Sequence, residues 1–326
     1  MQRRDVCLAL AAVSSLATVP APAQSTRTAR VAWVAIESAN RESPFYLSFG
    51  KGMRTLGWVE GRNLVIETWW GDGSAESLKK LVPEIVASRP DVIVAAGGPS
   101  VRPLIDLNVQ LPVVFTFSAD VVLAKVVDSW ARPGGNRTGI SFFSLELVPK
   151  RLQLMKELLP GMKRVAIVGW PPHSGELLEL EAASTAATKL GLAHQYYGAN
   201  TAAELDLAFE AITQWKADAM LVFAGGLASA QGERFASFAL RSRIPAVSAW
   251  AVFAEQGNLM TYGPVLRESV ERLASFVDRI LHGAKPADMP VELPTKFEMV
   301  INMKTAKTLG VPIPHAVLLR ADRVIE

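Results

Sequence analysis

The 326-residue chain is 50% hydrophobic and 20% charged, and its 34 basic and 31 acidic residues give a net charge of +3. That composition excludes a disordered or collagen-like chain, and the absence of any block of five like charges excludes a basic nucleic-acid arm or an acidic tail. The single cysteine, Cys7, excludes an internal disulfide and a zinc ribbon, and the length suits two domains of about 150 residues each.

Residues 1–23 read as an export signal. A short charged start (Arg3, Arg4, Asp5) precedes an apolar run from Val6 to Val19, then Ala21-Pro22-Ala23, an A-x-A cleavage pattern. The apolar run is 14 residues, short of the roughly 20 that a spanning helix needs. Arg3-Arg4 also fits a loose twin-arginine signal, so both export routes stay open. Cleavage near Ala23 and a periplasmic location are expected.

Downstream, strand and helix patterns alternate. Residues 31–36 form a continuous apolar run, as expected of a strand covered on both faces. A helix is expected over 44–56 and a strand over 64–69. Leu78, Leu81, Val82, Ile85 and Val86 then recur at helical spacing, and the helix stops before Pro90. Strands follow at 92–96 and 113–117 with a helix between them. This alternation predicts parallel sheet with right-handed crossovers.

The pattern then repeats. Val165-Ala166-Ile167-Val168 echoes Val31-Ala32-Trp33-Val34 at an offset of 134. The segments beginning at Asp218 and Ile244 echo those beginning at Asp91 and Leu111, at offsets of 127 and 133. Three strands in the same order at nearly constant spacing predict an α/β protein of two Rossmann-like lobes, each a parallel sheet flanked by helices, joined by a hinge. The expected first lobe is 24–142 plus part of 262–292. The second is 143–261 plus part of 293–326, opened by a helix from about Glu146 to Leu158. A long helix carrying Val270, Leu273, Ala274, Val277, Ile280 and Leu281 ends at His282-Gly283. Pro286, Pro290 and Pro294 then mark a semi-rigid connection before a short strand near Met299. The residues from Val311 onward have no evident place.

Catalytic and metal signatures are missing. None of the four histidines, His173, His194, His282 and His315, has metal-ligand spacing, and neither a nucleophile elbow nor a lysine-bearing phosphate loop occurs. Gly134-Gly135-Asn136-Arg137-Thr138-Gly139 lacks that lysine and reads as a tight turn. No cofactor and no metal are expected.

In open α/β sheets a ligand lies beyond the carboxyl ends of the strands. The loops there supply the candidate ligand-binding residues Ser38, Asn40, Gly98, Ser100, Ser118 and Asp120 in lobe one, and Trp170, Ser174, Gly225 and Trp250 in lobe two. Small residues and hydroxyls beside helix N-termini suit a carboxylate. Asp120 suits a cationic ligand group, and the two tryptophans suit an apolar wall. Ser100 and Ser174 could instead cap helices, and Trp170 could face the core.

Four motifs carry a family resemblance. They are Leu56-Gly57-Trp58-Val59-Glu60-Gly61-Arg62-Asn63-Leu64, Ala131-Arg132-Pro133 with the glycine-rich run after it, Leu259-Met260-Thr261-Tyr262-Gly263-Pro264, and Pro294-Thr295-Lys296-Phe297-Glu298-Met299-Val300-Ile301-Asn302 with Lys304-Thr305-Ala306. Together they resemble the ABC transporter substrate-binding proteins of the tryptophan/tyrosine-binding type. The resemblance implies a type I periplasmic binding protein fold and no enzymatic activity. It also implies binding of an amino acid or aromatic acid, and delivery to an inner-membrane ABC permease with its ATPase. A monomer with no nucleic-acid partner is expected. Three loops depart from the family pattern: Asp120-Val121-Val122 lacks a usual proline, Ala224-Gly225-Gly226 lacks a polar pair, and Trp170-Pro171-Pro172-His173 stands where asparagine and proline are frequent. A ligand-sensing module for a membrane receptor would share these features. An exported α/β enzyme using Asp120 and His173 is the remaining alternative.

Overall fold

A computed structural model describes residues 28–142, 144–173 and 175–326. The export signal at 1–23 and the candidate Ser174 lie outside the described residues.

The first lobe is built as the alternation predicts. Strand β1 (Ala29–Ala35) is buried almost throughout, because its apolar run has helices on both sides. Ser43 starts α1 (Pro44–Thr55): its hydroxyl accepts the Tyr46 N–H at 3.2 Å, and Pro44 supplies the preset first turn. Strand β2 (Leu64–Trp70), α2 (Ala75–Ala87), β3 (Val92–Ala96), α3 (Gly98–Asp106), β4 (Val113–Phe117) and β5 (Arg137–Ser141) follow. The sheet order is β2-β1-β3-β4-β5, parallel throughout.

The second lobe repeats this order. Helix α4 (Ser144–Leu158) leads into β6 (Arg164–Gly169), α5 (Glu176–Lys189), β7 (Ala193–Gly198), α6 (Ala202–Trp215) and β8 (Ala219–Val222). Two helices, α7 (Gly226–Ala230) and α8 (Gly232–Ser242), precede β9 (Ala246–Ser248), α9 (Ala251–Glu255) and β10 (Met260–Pro264). The strands run β7-β6-β8-β9-β10, the topology of the first sheet, and the three segments that echo each other in sequence occupy equivalent strands.

The chain then returns to the first lobe. Helix α10 (Leu266–Leu281) packs Val270, Leu273, Ala274 and Val277 into the core that holds Trp33, Phe49 and Met53. Its backbone approaches α1 so closely that a Cβ on Gly52 would sit 2.5 Å from the Glu271 carbonyl oxygen, which only glycine tolerates. After a 3-10 turn at Pro286–Asp288, the Glu292 backbone bonds to Gly139 and Ser141 of β5. Strand β11 (Phe297–Asn302) then joins the second sheet antiparallel to β10. Helices α11 (Met303–Leu309) and α12 (His315–Leu318) lead to β12 (Arg323–Ile325), which adds the edge strand and places the residues after Val311. The chain thus crosses between sheets before α4, before α10 and before β11.

Beneath the second sheet lies a buried pair of ionisable side chains. Arg151 of α4 and Glu179 of α5 are fully buried. The Arg151 Nε donates to the Tyr262 carbonyl at 2.7 Å, while its Nη atoms and both Glu179 oxygens have no hydrogen-bond partner among the described residues. Burial pushes the Glu179 carboxyl from 4.5 up to about 8, against the pull of Arg151. Between those values the native state holds a proton that the unfolded chain releases, so Glu179 makes stability fall as pH rises from about 4.5 to about 8. Glu179→Gln is expected to flatten that slope, which for one group is at most about 1.4 kcal/mol per pH unit. Urea unfolding at pH 5 and pH 8 checks this, and a variant slope equal to that of the parent contradicts it.

Candidate functional site

Between the lobes lies a cavity of about 1070 Å³. Its walls are the loops at the carboxyl ends of β1, β3 and β4 on one side and of β6, β8 and β9 on the other. The position follows from topology: both sheets reverse strand order next to their first strands, so the flanking loops splay apart and leave a crevice there.

Six aromatic side chains line the walls: Trp33, Phe45, Trp70 and Phe142 from lobe one, and Trp170 and Trp250 from lobe two. Trp250 meets Phe45 and Phe142 edge-on, with ring centroids 5.9 and 6.0 Å away. Trp170 packs into the lobe-one cluster containing Phe117, Ala119 and Val121. The lobes therefore touch across the cleft through lobe-two tryptophans seated on lobe-one side chains.

Polar groups line the cavity at the lobe-one strand ends and, on lobe two and the returning chain, at Asn200, Thr201, Gln231, Gln256, Arg267, Glu298 and Arg323. Ser38, Asn40, Thr116 and Ser118 face the cavity from lobe one. The Gly97 N–H donates to the Thr116 hydroxyl at 2.8 Å, which leaves that hydroxyl's own hydrogen to donate elsewhere. Helix α3 starts at Gly98; Pro99 has no N–H, and the Ser100 N–H turns back to the Gly97 carbonyl at 3.0 Å. Gly98 thus carries the available amide at that helix end. Glu37, the first residue after the strand-one apolar run, brings a carboxylate to the wall. Surrounding protein raises its pKa, partly offset by a hydrogen bond from its own backbone N–H, while the side chain stays open to the cleft.

Of the ten residues singled out in the sequence, Ser38, Asn40, Gly98, Ser118, Trp170, Gly225 and Trp250 line this cavity. Two are placed elsewhere. Asp120 folds back on its own turn, its Oδ1 accepting the Val122 and Leu123 amides at 2.8 and 2.9 Å. Ser100 is fully buried and donates to the Ala96 carbonyl at 2.9 Å. Glu37, Phe45, Trp70 and Phe142 were not singled out. For Glu37 a signal existed, since it is the first residue after the buried apolar run of strand one.

The seam is tight at one further point. A Cβ on Gly175 would lie 2.4 Å from the Ala119 Cβ, although the Gly175 φ of −102° suits any residue. Gly175→Val is therefore expected to wedge the lobes apart without straining its own backbone, lowering affinity for a cleft ligand by about tenfold. Titration calorimetry of the variant against its parent checks this; equal affinity contradicts it.

Among the described residues no three His, Cys, Asp or Glu side chains gather to hold a metal ion, and no helix is long and apolar enough to cross a membrane. Residues 36–325 match the family described as ABC transporter substrate binding protein. A tyrosine-binding protein of Clostridioides difficile is 23% identical over 262 residues, covering 80% of this chain and 75% of that protein. The crystal structure of a conserved domain protein from Vibrio cholerae superposes with a TM-score of 0.85 at 27% identity, over 91% of this chain and all of that one (100%). The ABC domain in complex with L-Trp from Streptococcus pneumonia superposes with a TM-score of 0.83 at 24% identity, over 91% and 100%. The two-lobed architecture is that of the type I periplasmic binding proteins. With a match running almost from end to end, the chain belongs to the ABC transporter substrate-binding protein family.

Proposed function

We propose that this substrate-binding protein takes a small carboxylate-bearing molecule, an amino acid or an aromatic acid, into the cleft between its lobes and delivers it to an ABC importer. The observation that carries this reading is a cleft walled by six aromatic side chains and edged by hydroxyls and strand-end amides. An aromatic body fits the walls, and hydroxyls with the amides of Gly98 and Gly225 suit a carboxylate. Glu37, in place of Asp120, is the acid suited to an ammonium group. The ligand contacts fall to Ser38, Asn40, Gly98, Ser118, Trp170, Gly225 and Trp250, with Glu37, Phe45, Trp70 and Phe142 added. The tyrosine-binding relative and the neighbour holding L-Trp favour the aromatic amino acids within this class.

Residues from both lobes would touch one ligand, so its affinity is higher for the closed arrangement and binding shifts the population toward it. In this reading the export signal is removed near Ala23, and the protein works in the periplasm as a monomer. It docks on an inner-membrane permease driven by an ATPase.

A thermal-shift screen against amino acids, aromatic acids and their decarboxylated amines tests the ligand class. At 100 times its Kd a ligand stabilises by about 2.7 kcal/mol, a shift of a few degrees for a protein of this size. Carboxylates are expected to shift the melting point and the matching amines to do so far less. No shift with any carboxylate overturns the reading.

A further inference from the structure

His173 stands at a wall shared by two cavities. It lines the main cleft and also a second space of about 410 Å³ between α3 and the Pro171-Pro172 turn, and Gly98 is common to both. Its backbone is held at both ends: the N–H donates to the Trp170 carbonyl at 2.8 Å, and the carbonyl accepts from Glu176 at 3.1 Å. The ring is fixed as well. The Gly175 N–H donates to His173 Nδ1 at 3.0 Å, and a Cβ on Gly225 would sit 3.8 Å from Cδ2.

A ring nitrogen that accepts a hydrogen bond carries no proton, so the neutral imidazole must hold its hydrogen on Nε2. Burial keeps the ring neutral, its pKa lowered from 6.5 to about 4. The Nε2 atom is buried and has no hydrogen-bond partner among the described residues. A buried donor left unpaired is unfavourable, and buried polar groups nearly always have partners. Three more buried donors without hydrogen-bond partners among the described residues belong to the same cavity lining, Nε1 of Trp250, Nε1 of Trp33 and Oγ of Ser229. Glu37, by contrast, brings an acceptor from lobe one.

We infer that His173 is a neutral, fixed-tautomer donor whose Nε2–H receives the ligand's carboxylate, so that a zwitterion lies with its acid end toward lobe two and its ammonium end toward Glu37 of lobe one. This rests on the carboxylate reading above and assigns the group that recognises it. Closure then aligns both ligand ends with opposite lobes, which ties affinity to the closed state.

The test uses the purified protein with L-tyrosine, L-tryptophan and benzoate, and with the amines tyramine and tryptamine, by titration calorimetry. Asparagine at 173 keeps an acceptor near the Nδ1 position but cannot reach as far as Nε2; glutamine places a donor close to Nε2. His173→Asn is expected to weaken carboxylate binding by about tenfold or more, His173→Gln by no more than about threefold, and neither to change amine binding. Nitrogen-15 spectra of the parent protein are expected to show Nε2 protonated and Nδ1 bare from pH 5.5 to 8, with the Nε2 signal moving when a carboxylate binds. A carboxylate that binds equally to parent and His173→Asn overturns this inference alone, as does a proton on Nδ1. If no carboxylate binds at all, the carboxylate reading falls and this assignment falls with it.

Discussion

Trp250→Ala is expected to weaken ligand binding by about 100-fold or more and to leave the lobes apart. Trp250 belongs to the lobe-two chain at the end of β9, yet its buried ring sits against Phe45 and Phe142 of lobe one. Truncating a buried tryptophan typically costs about 3–5 kcal/mol, through lost contacts and the space left behind. Here much of that loss falls on closure, because the ring's partners belong to the other lobe and move away with it. A loss of about 2.7 kcal/mol in closure alone is the stated 100-fold. Titration calorimetry reads the affinity, and Trp250→Phe, which keeps an aromatic edge, is expected to fall between parent and alanine. Unchanged affinity in Trp250→Ala would remove Trp250 from the binding wall.

The largest effect on folding is expected at Gly139. This glycine lies in the middle of β5, and a Cβ there would be 2.0 Å from the Phe115 carbonyl oxygen and 2.7 Å from its nitrogen in β4. Neither atom can rotate away, since both are backbone, so alanine must separate β4 from β5. The Gly139 carbonyl also accepts the Glu292 N–H at 2.9 Å, and the displacement therefore reaches the segment that returns the chain to the second lobe. Overpacking of this kind typically costs 1–3 kcal/mol and occasionally more; here about 3 kcal/mol or more is expected, as a lower urea midpoint. Gly161, with nothing within 4 Å of its Cβ position, is the control, and its alanine variant is expected to change stability by less than about 0.5 kcal/mol. A loss under about 1 kcal/mol at Gly139 would contradict the close approach.

The strands were easiest to read where burial is double-sided. The runs at Val31 and Val92 and their echoes at Val165 and Ala219 stand out because helices cover both faces, so no polar residue interrupts them. The doubled strand order followed from their spacing. A stripe of Val270, Leu273 and Val277 by itself fits either sheet, and the structure packs α10 on the first. The antiparallel β11 and the edge strand β12 break the alternation, and three or six residues carry little periodic signal.

In the site, the strand-end rule finds the loops but not the direction of each side chain. Ser100 and Asp120 are short polar residues whose nearest partners are their own neighbours' backbone groups, and those local bonds turn them from the cleft. Phe45, Trp70 and Phe142 look like core residues in sequence, since an aromatic wall of a closed cleft and a hydrophobic core have the same composition. His173 drew notice as a departure from the family pattern, but only the hydrogen bond from the Gly175 N–H to its Nδ1 identifies which nitrogen carries the proton.

The most direct measurement of the central claim is small-angle X-ray scattering of the protein alone and with a saturating carboxylate ligand found in the thermal screen. If one ligand bridges both lobes, the radius of gyration is expected to fall on binding, and to fall far less in Gly175→Val. A saturated protein with the same radius of gyration as the unliganded one would contradict ligand-driven closure.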